Sequence, residues 1–187
     1  MVKTGAILLA LVLAPMAALA FTPPWSTVYG VARDERGMVD IAVDKALSTD
    51  IKGLLVSKDN RLGLKVKVYC FVGKVTLLGQ LADEDFRKYA EAAASRERGV
   101  KGVVAYWEPE PEESTLTADL EIEARLRAAL VGDKELSSTQ VEIEVFSGKV
   151  YLLGMVRSGQ DAERAVEHAR AVPGVTEVVS LMTPSKP

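Results

Sequence analysis

His168 is the single histidine and Cys70 the single cysteine among 187 residues. Histidine is the usual acid–base group near neutral pH. His168 falls mid-helix in the pattern around it, which predicts a solvated helix residue. A lone thiol can form neither an internal disulfide nor a cysteine-based zinc site. Cys70 alternates with apolar neighbours along a strand pattern, so it is expected in the core as a small, inert apolar group. Asp83-Glu84-Asp85 could suggest a cation site, but an acidic first turn that complements a helix dipole is the simpler account. Gly63, Gly73 and Gly79 are too widely spaced for a phosphate loop, and no G-x-S-x-G nucleophile elbow occurs. The expectation is a protein with no catalytic residues, no cofactor and no metal.

The elements that place these residues come in two copies. Gly73-Lys74-Val75-Thr76-Leu77-Leu78-Gly79 recurs 75 positions later as Gly148-Lys149-Val150-Tyr151-Leu152-Leu153-Gly154. The same offset aligns Gly99-Val100 with Gly174-Val175, Val66 with Val141 and Phe71 with Phe146. Upstream it aligns Asp44, Leu47, Ile51 and Leu55 with Asp119, Ile122, Leu126 and Leu130. A constant, gapless offset is the signature of a duplicated unit. The units span 39–107 and 115–182. The linker 108–114 between them is acidic and contains Pro109 and Pro111.

Within each unit two apolar runs flank a glycine-lysine pair. Gly73-Lys74 and Gly148-Lys149 are expected to form two-residue type II′ turns, pairing Val72 with Val75 and Cys70 with Leu77. Val66, Val68, Cys70, Val72, Val75, Leu77 and Leu81 then share one apolar face. Gly79 and Gly154 sit on that face and are expected to allow close approach of a helix or to mark a bulge. Leu47, Ile51, Leu54 and Leu55 follow helical spacing, as do Leu120, Ala124, Leu126, Ala129 and Leu130, with Thr117 as N-cap. Second helices cover 83–97 and 158–171, stopped by Gly99 and by Pro173-Gly174. The fold class is α+β: two tandem two-layer domains, each α-β-β-α-β, with a three-stranded mixed sheet packed on two helices. Gly73, Gly79, Gly99, Gly148, Gly154 and Gly174 are the structural glycines.

The hairpin face turned away from the helices is not polar, as a solvated face would be. It carries Tyr69, Phe71 and Leu78 in one unit and Phe146, Tyr151 and Leu153 in the other. Contiguous exposed apolar patches mark interfaces. At least one of these faces is therefore expected to be covered, with contact between the two domains as one means.

Met1–Ala20 has a basic start, a short apolar run and an Ala18-Leu19-Ala20 ending, the pattern of a secretory signal peptide cleaved after Ala20. The residue that follows is Phe21, not a cysteine, so lipidation is not expected. The N-terminal segment 21–38 and the tail 183–187 complete the chain. Without the signal, 22 basic residues stand against 26 acidic ones, which argues against a polybasic nucleic-acid binder. The charge is unevenly shared. Residues 39–107 hold 12 basic and 9 acidic side chains, whereas 114–187 hold 8 and 11. Lys58, Arg61, Lys65 and Lys67 group ahead of the first hairpin, with Lys74 at its tip. They are the candidate contact for anionic head groups, each such residue adding about 1 kcal/mol near an anionic bilayer.

The V-x-V-x-x-x-x-G-x-V-x-L-x-G hairpins (66–79 and 141–154), with the endings Gly99-Val100-x-x-Val103 and Gly174-Val175-x-x-Val178, resemble the BON domain. A signal peptide followed by two such units resembles the bacterial periplasmic dual-BON proteins. The resemblance implies a role in envelope integrity, osmotic stress and anionic phospholipid binding. In the lipid-binding relatives the second unit is implicated, whereas here the second unit is acidic. The expected function is thus a non-enzymatic periplasmic binding protein that contacts anionic phospholipid peripherally, with envelope proteins as further partners. The alternative is a periplasmic stress or chaperone-like protein that binds other proteins.

Overall fold

The computed structural model describes residues 38–136 and 141–185. The expected signal peptide and nearly all of segment 21–38 lie outside the described residues. Unit one contains α1 (Met38–Lys58), α2 (Asn60–Lys65), β1 (Lys67–Phe71), β2 (Lys74–Gln80), α3 (Glu84–Arg96) and β3 (Gly102–Glu108). Unit two contains α4 (Leu116–Gly132), β4 (Glu142–Phe146), β5 (Lys149–Val156), α5 (Gly159–Ala171) and β6 (Glu177–Pro184). Each sheet is mixed. β1 runs antiparallel to β2, and β3 lies parallel to β2 on its other side. Unit two repeats this as β4-β5-β6. The parallel pairing requires a crossover, which α3 and α5 supply.

The helices bury the residues that the repeat aligns. Asp44, Leu47, Ile51 and Leu55 face inward on α1, and Asp119, Ile122, Leu126 and Leu130 on α4. Spacings of three and four residues keep them on one stripe. Leu54 and Leu120, both expected inward, are 41% and 55% exposed. Each sits next to the true stripe rather than on it. Helix α4 starts from Thr115, not Thr117. The residues just ahead of the first hairpin form the helix α2, capped by Asp59, whose carboxylate accepts the Leu62 N–H at 2.8 Å. Helix α3 is likewise capped by Asp83, which accepts the Phe86 N–H at 2.7 Å. Glu84 and Asp85 follow in its first turn, where acids complement the dipole.

The hairpin turns differ from the expected ones. The register pairs Cys70 with Val75 and Phe71 with Lys74, so the turn residues are Val72-Gly73, and in unit two Ser147-Gly148. Both residues of each turn have positive φ: 53° and 78° in the first, 52° and 80° in the second. These are type I′ turns. Val72, placed on the core face by the II′ reading, is 39% exposed at the tip. The face assignment of the strands survives, because the register differs by an even number of residues. Positive φ strains a β-branched valine. A buried carboxylate holds it there. Asp44 accepts the Val72 N–H at 2.7 Å and the Gly73 N–H at 2.9 Å. Asp119 accepts those of Ser147 and Gly148 at 2.9 and 2.8 Å.

Gly79 is also tightly confined, but not by a long helix. A Cβ there would lie 2.9 Å from the carbonyl oxygen of Lys65, where the chain leaves α2 for β1. Gly154 has φ 133°, a conformation that side chains rarely adopt. The remaining structural glycines, Gly99 and Gly174, also have positive φ and lie just beyond α3 and α5. Their carbonyls approach the turn glycines: a Cβ on Gly73 or Gly148 would meet them at 3.0 and 2.8 Å.

Replacing Asp44 or Asp119 with Ala leaves two amides without their acceptor, at about 1–3 kcal/mol per buried unsatisfied donor. Each variant should lose roughly 2–4 kcal/mol in urea unfolding, while the exposed Asp50→Ala stays within about 0.5 kcal/mol. Equal midpoints for Asp44→Ala and Asp50→Ala would show that the carboxylate does not hold the turn. Gly79→Ala should cost about 1–3 kcal/mol through overpacking. Gly102→Ala, with nothing within 4 Å of an added Cβ, should not.

Candidate functional site

β2 and β5 are buried on both faces, which the two-layer expectation for each unit does not by itself require. Leu77 and Leu78 are both fully buried although they point to opposite sides of one strand. Leu77 belongs to the core beneath α1 and α3. Leu78 belongs to a third cluster with Phe146, Tyr151 and Leu153, against which Tyr69, Phe71, Tyr106, Val179 and Leu181 pack. The two sheets therefore meet through the faces that point away from their helices, giving four layers in the order helix, sheet, sheet, helix.

The contacts across this seam relate the units by an approximate two-fold axis. The Tyr69 hydroxyl donates to the Glu144 carboxylate at 2.5 Å, and these two residues are repeat counterparts, 75 positions apart. Contact between repeat counterparts is what a self-complementary, two-fold pairing of the units gives. Lys67 Nζ lies 3.2 Å from the same carboxylate. Further along, the Tyr151 hydroxyl donates to Glu108. Lys149 Nζ lies 3.2 Å from both Glu108 and Glu177 and 5.5 Å from the Tyr151 ring centroid. Burial, the Glu144 charge and its hydrogen bond hold the Tyr69 phenol neutral far above its ordinary range. Burial and the hydrogen bond to Glu108 push the Tyr151 phenol up to about 12.

The basic residues do not form the dense group that their spacing suggests. Lys65 is paired with Glu110 at 2.8 Å, and Lys67 with Glu144 across the seam. Lys58 lies over the Tyr89 ring, 5.3 Å from its centroid. Arg61 projects from α2 and is exposed. Lys74 is exposed at the start of β2, separated from the others by the whole length of the hairpin. Glu110 and Glu144 were invisible as partners because each is remote in sequence from the lysine it meets. Beside Arg61, Leu64 is 58% exposed on α2, and Leu54 stands one turn before Lys58 on α1. α2 crosses α1 where Gly63 meets the Leu55 backbone.

His168 is not simply solvated. Its Nε2 lies 2.8 Å from Asp133, which also accepts from Arg164 Nε at 2.5 Å. These contacts, chiefly the Arg164 hydrogen bond, hold the Asp133 carboxyl well below the ordinary range. Asp133 caps the end of α4, so the cluster ties that helix to α5. Cys70 is buried, with its Sγ 3.2 Å from Asp44. Among the described residues no group of three or more acidic, histidine or cysteine side chains is placed to hold a metal ion. No helix among them is long and apolar enough to cross a membrane.

Two α+β units, each a helix-covered mixed sheet with a carboxylate-held hairpin, define a tandem-domain protein. The BON domain matches residues 43–106 and again 118–183. The chain belongs to the BON-domain family, with two copies of the domain. It is 29% identical over 142 residues to osmotically-inducible protein Y of Escherichia coli K12, covering 72% of this chain and 69% of that protein. It is 26% identical over 155 residues to outer membrane lipoprotein DolP of Haemophilus influenzae, covering 81% and 79%. An uncharacterized protein from the gshII 5′ region of Anaplasma centrale is 31% identical over 113 residues, covering 59% and 75%.

The seam tyrosines give a pH signature. A phenol whose folded pKa is raised contributes stability that is complete below the unfolded value, 10.0, and lost as pH rises through the folded value, about 12 for Tyr151. Stability measured by urea unfolding should fall between pH 10 and 12. The fall should be shallower in Tyr69→Phe/Tyr151→Phe. An identical pH dependence in that variant would place the loss elsewhere.

Proposed function

We infer that this protein is a non-enzymatic binding protein of the bacterial periplasm that contacts anionic phospholipid reversibly and supports envelope integrity or stress tolerance. The kinship with an osmotically-inducible protein and with an outer membrane lipoprotein supports the envelope setting. The observation that carries the lipid contact is the surface where α1 and α2 cross. There the exposed Leu54 and Leu64 flank the exposed Lys58 and Arg61 along the chain. Apolar side chains beside cations fit the boundary between head groups and acyl chains.

The magnitudes favour a weak contact. Two basic residues contribute about 2 kcal/mol at an anionic surface. Partial burial of two leucines adds about 3 kcal/mol. Together these correspond to a Kd of roughly 0.2 mM. Lys65 adds less, because Glu110 competes for it at 2.8 Å.

Co-sedimentation with phosphatidylglycerol vesicles tests this. Binding should fall as salt rises, because exposed charges are screened within about 8 Å at physiological ionic strength. Lys58→Glu/Arg61→Glu should nearly abolish it, and Leu54→Ser/Leu64→Ser should weaken it at every salt concentration. Wild-type binding in both variants would remove this surface from the reading. No binding to any vesicle would favour the protein-partner alternative.

A further inference from the structure

The approximate two-fold symmetry of the seam is broken at one place. On one side of the axis, Tyr151 fills the space between the sheets. Its ring centroid is 6.0 Å from that of Phe146 and 5.5 Å from that of Tyr106, and its residue is 1% exposed. Glu108 and Lys149 close that end. Carrying each residue across by the 75-position offset gives what stands on the other side. Tyr151 is replaced by Thr76, and Glu108 by Thr183. Two bulky groups become two threonines. A cavity of about 400 Å³ lies there, lined by Phe71, Thr76, Tyr106, Leu181 and Thr183 among others. That volume is in the range of about 300–1,000 Å³ usual for small-molecule sites.

The charge at the two ends differs as sharply as the volume. Lys149 is held between Glu108 and Glu177. Its counterpart Lys74 lines the cavity, and the positions equivalent to those two acids are Thr183 and Gly102. Lys101 lines the same end, in place of Thr176 in unit two. It is fixed there because its own N–H donates to the Gly73 carbonyl at 2.8 Å, and Lys74 pairs with Gly102 at the start of the parallel ladder. The side-chain walls away from the lysines are apolar and aromatic: Phe71, Val104, Tyr106 and Leu181. Val104 is left 54% exposed there.

We propose that this cavity between the sheets binds a single-chain lipid with an acidic head group. The head group sits between Lys74 and Lys101. The chain runs inward along Phe71, Tyr106 and Leu181, into the space that Tyr151 fills on the symmetric side. The two exposed ammonium groups at the mouth attract an anionic head group and give a neutral apolar ligand nothing in return. A small inorganic anion would leave the space beside the exposed Val104 unfilled. An amphiphilic anion satisfies both. The site is distinct from the α1–α2 surface and does not depend on it: one takes up a monomer, the other touches an assembled bilayer.

Isothermal titration with three 12-carbon probes below their micellar concentrations tests this. Laurate and lysophosphatidylglycerol share the proposed chemistry but come from different sources, and lysophosphatidylcholine has the same chain with a zwitterionic head. At least one of the two anions should bind with 1:1 stoichiometry, about tenfold or more tighter than lysophosphatidylcholine. Whichever anion binds more tightly identifies the source. Thr76→Tyr, which recreates the filled side, should weaken that binding about tenfold or more. Its melting temperature shows whether it remains folded. Lys74→Gln/Lys101→Gln changes only exposed residues and should weaken the anion without affecting lysophosphatidylcholine. Equal affinity for all three probes, no binding of any, or wild-type affinity in the lysine variant would overturn the proposal. Vesicle binding with no monomer binding would overturn the cavity while leaving the surface reading intact. Monomer binding without vesicle binding would do the reverse.

Discussion

One buried carboxylate in each unit fixes everything downstream of it. Asp44 reaches from α1 to two successive turn amides, and Asp119 does the same from α4. Burying a charge is costly unless it is well paired, and here the donors are backbone N–H groups already oriented by the turn. The carboxylate therefore selects the turn type. It allows Val72, a poor residue for positive φ, to take it. Once the turn is type I′, the register follows, and with it which side chains face the helices. The Gly73 carbonyl then receives the Lys101 N–H and sets the start of the parallel third strand. Helix, hairpin and crossover strand are thus joined at one point.

A sheet of three strands covered by helices on one face leaves the other face open. Each unit is small enough that only about 60% of its unfolded surface would be buried alone. Packing the open faces together removes that deficit and explains why β2 and β5 carry consecutive leucines rather than alternating ones. The seam is not purely apolar. Tyr69–Glu144 and Tyr151–Glu108 place hydrogen bonds at defined positions within it. Directional bonds of this kind select one alignment of the sheets, where an apolar seam alone would tolerate sliding.

The sequence made the fold legible because the repeat did most of the reading. An offset of 75 identified the buried stripes of α1 and α4 better than helical periodicity did: Leu54 and Leu120 fit a local pattern, yet only aligned positions are buried. Asp44 and Asp119 were also aligned, and a carboxylate on an otherwise apolar stripe was the available signal for the clamp. The turn type is not legible in Gly73-Lys74, because the group that decides it, Asp44, lies 28 residues before Val72 in α1. The pairing of the basic residues is hidden for a related reason. Lys65 and Lys67 meet acids 45 and 77 positions away, and charge spacing along a chain carries no information about such partners.

Duplication gives two equal halves, and equal halves make a closed seam. A binding cavity at such a seam requires that the halves stop being equal. Residues in the helix-facing cores cannot diverge far without costing stability, because those interiors are close-packed. Residues at the seam can, since each position is answered by a different residue across the axis. Tyr151 fills its own side of the axis, whereas its counterpart Thr76 leaves the opposite side unfilled. The same substitution pattern that seals one side, with Tyr151, Glu108 and Lys149 in mutual contact, leaves the other with short side chains and the exposed Lys74. Closure and opening are therefore one structural event. The sealed half holds the sheets in register, and that fixed register keeps the open half from collapsing onto itself.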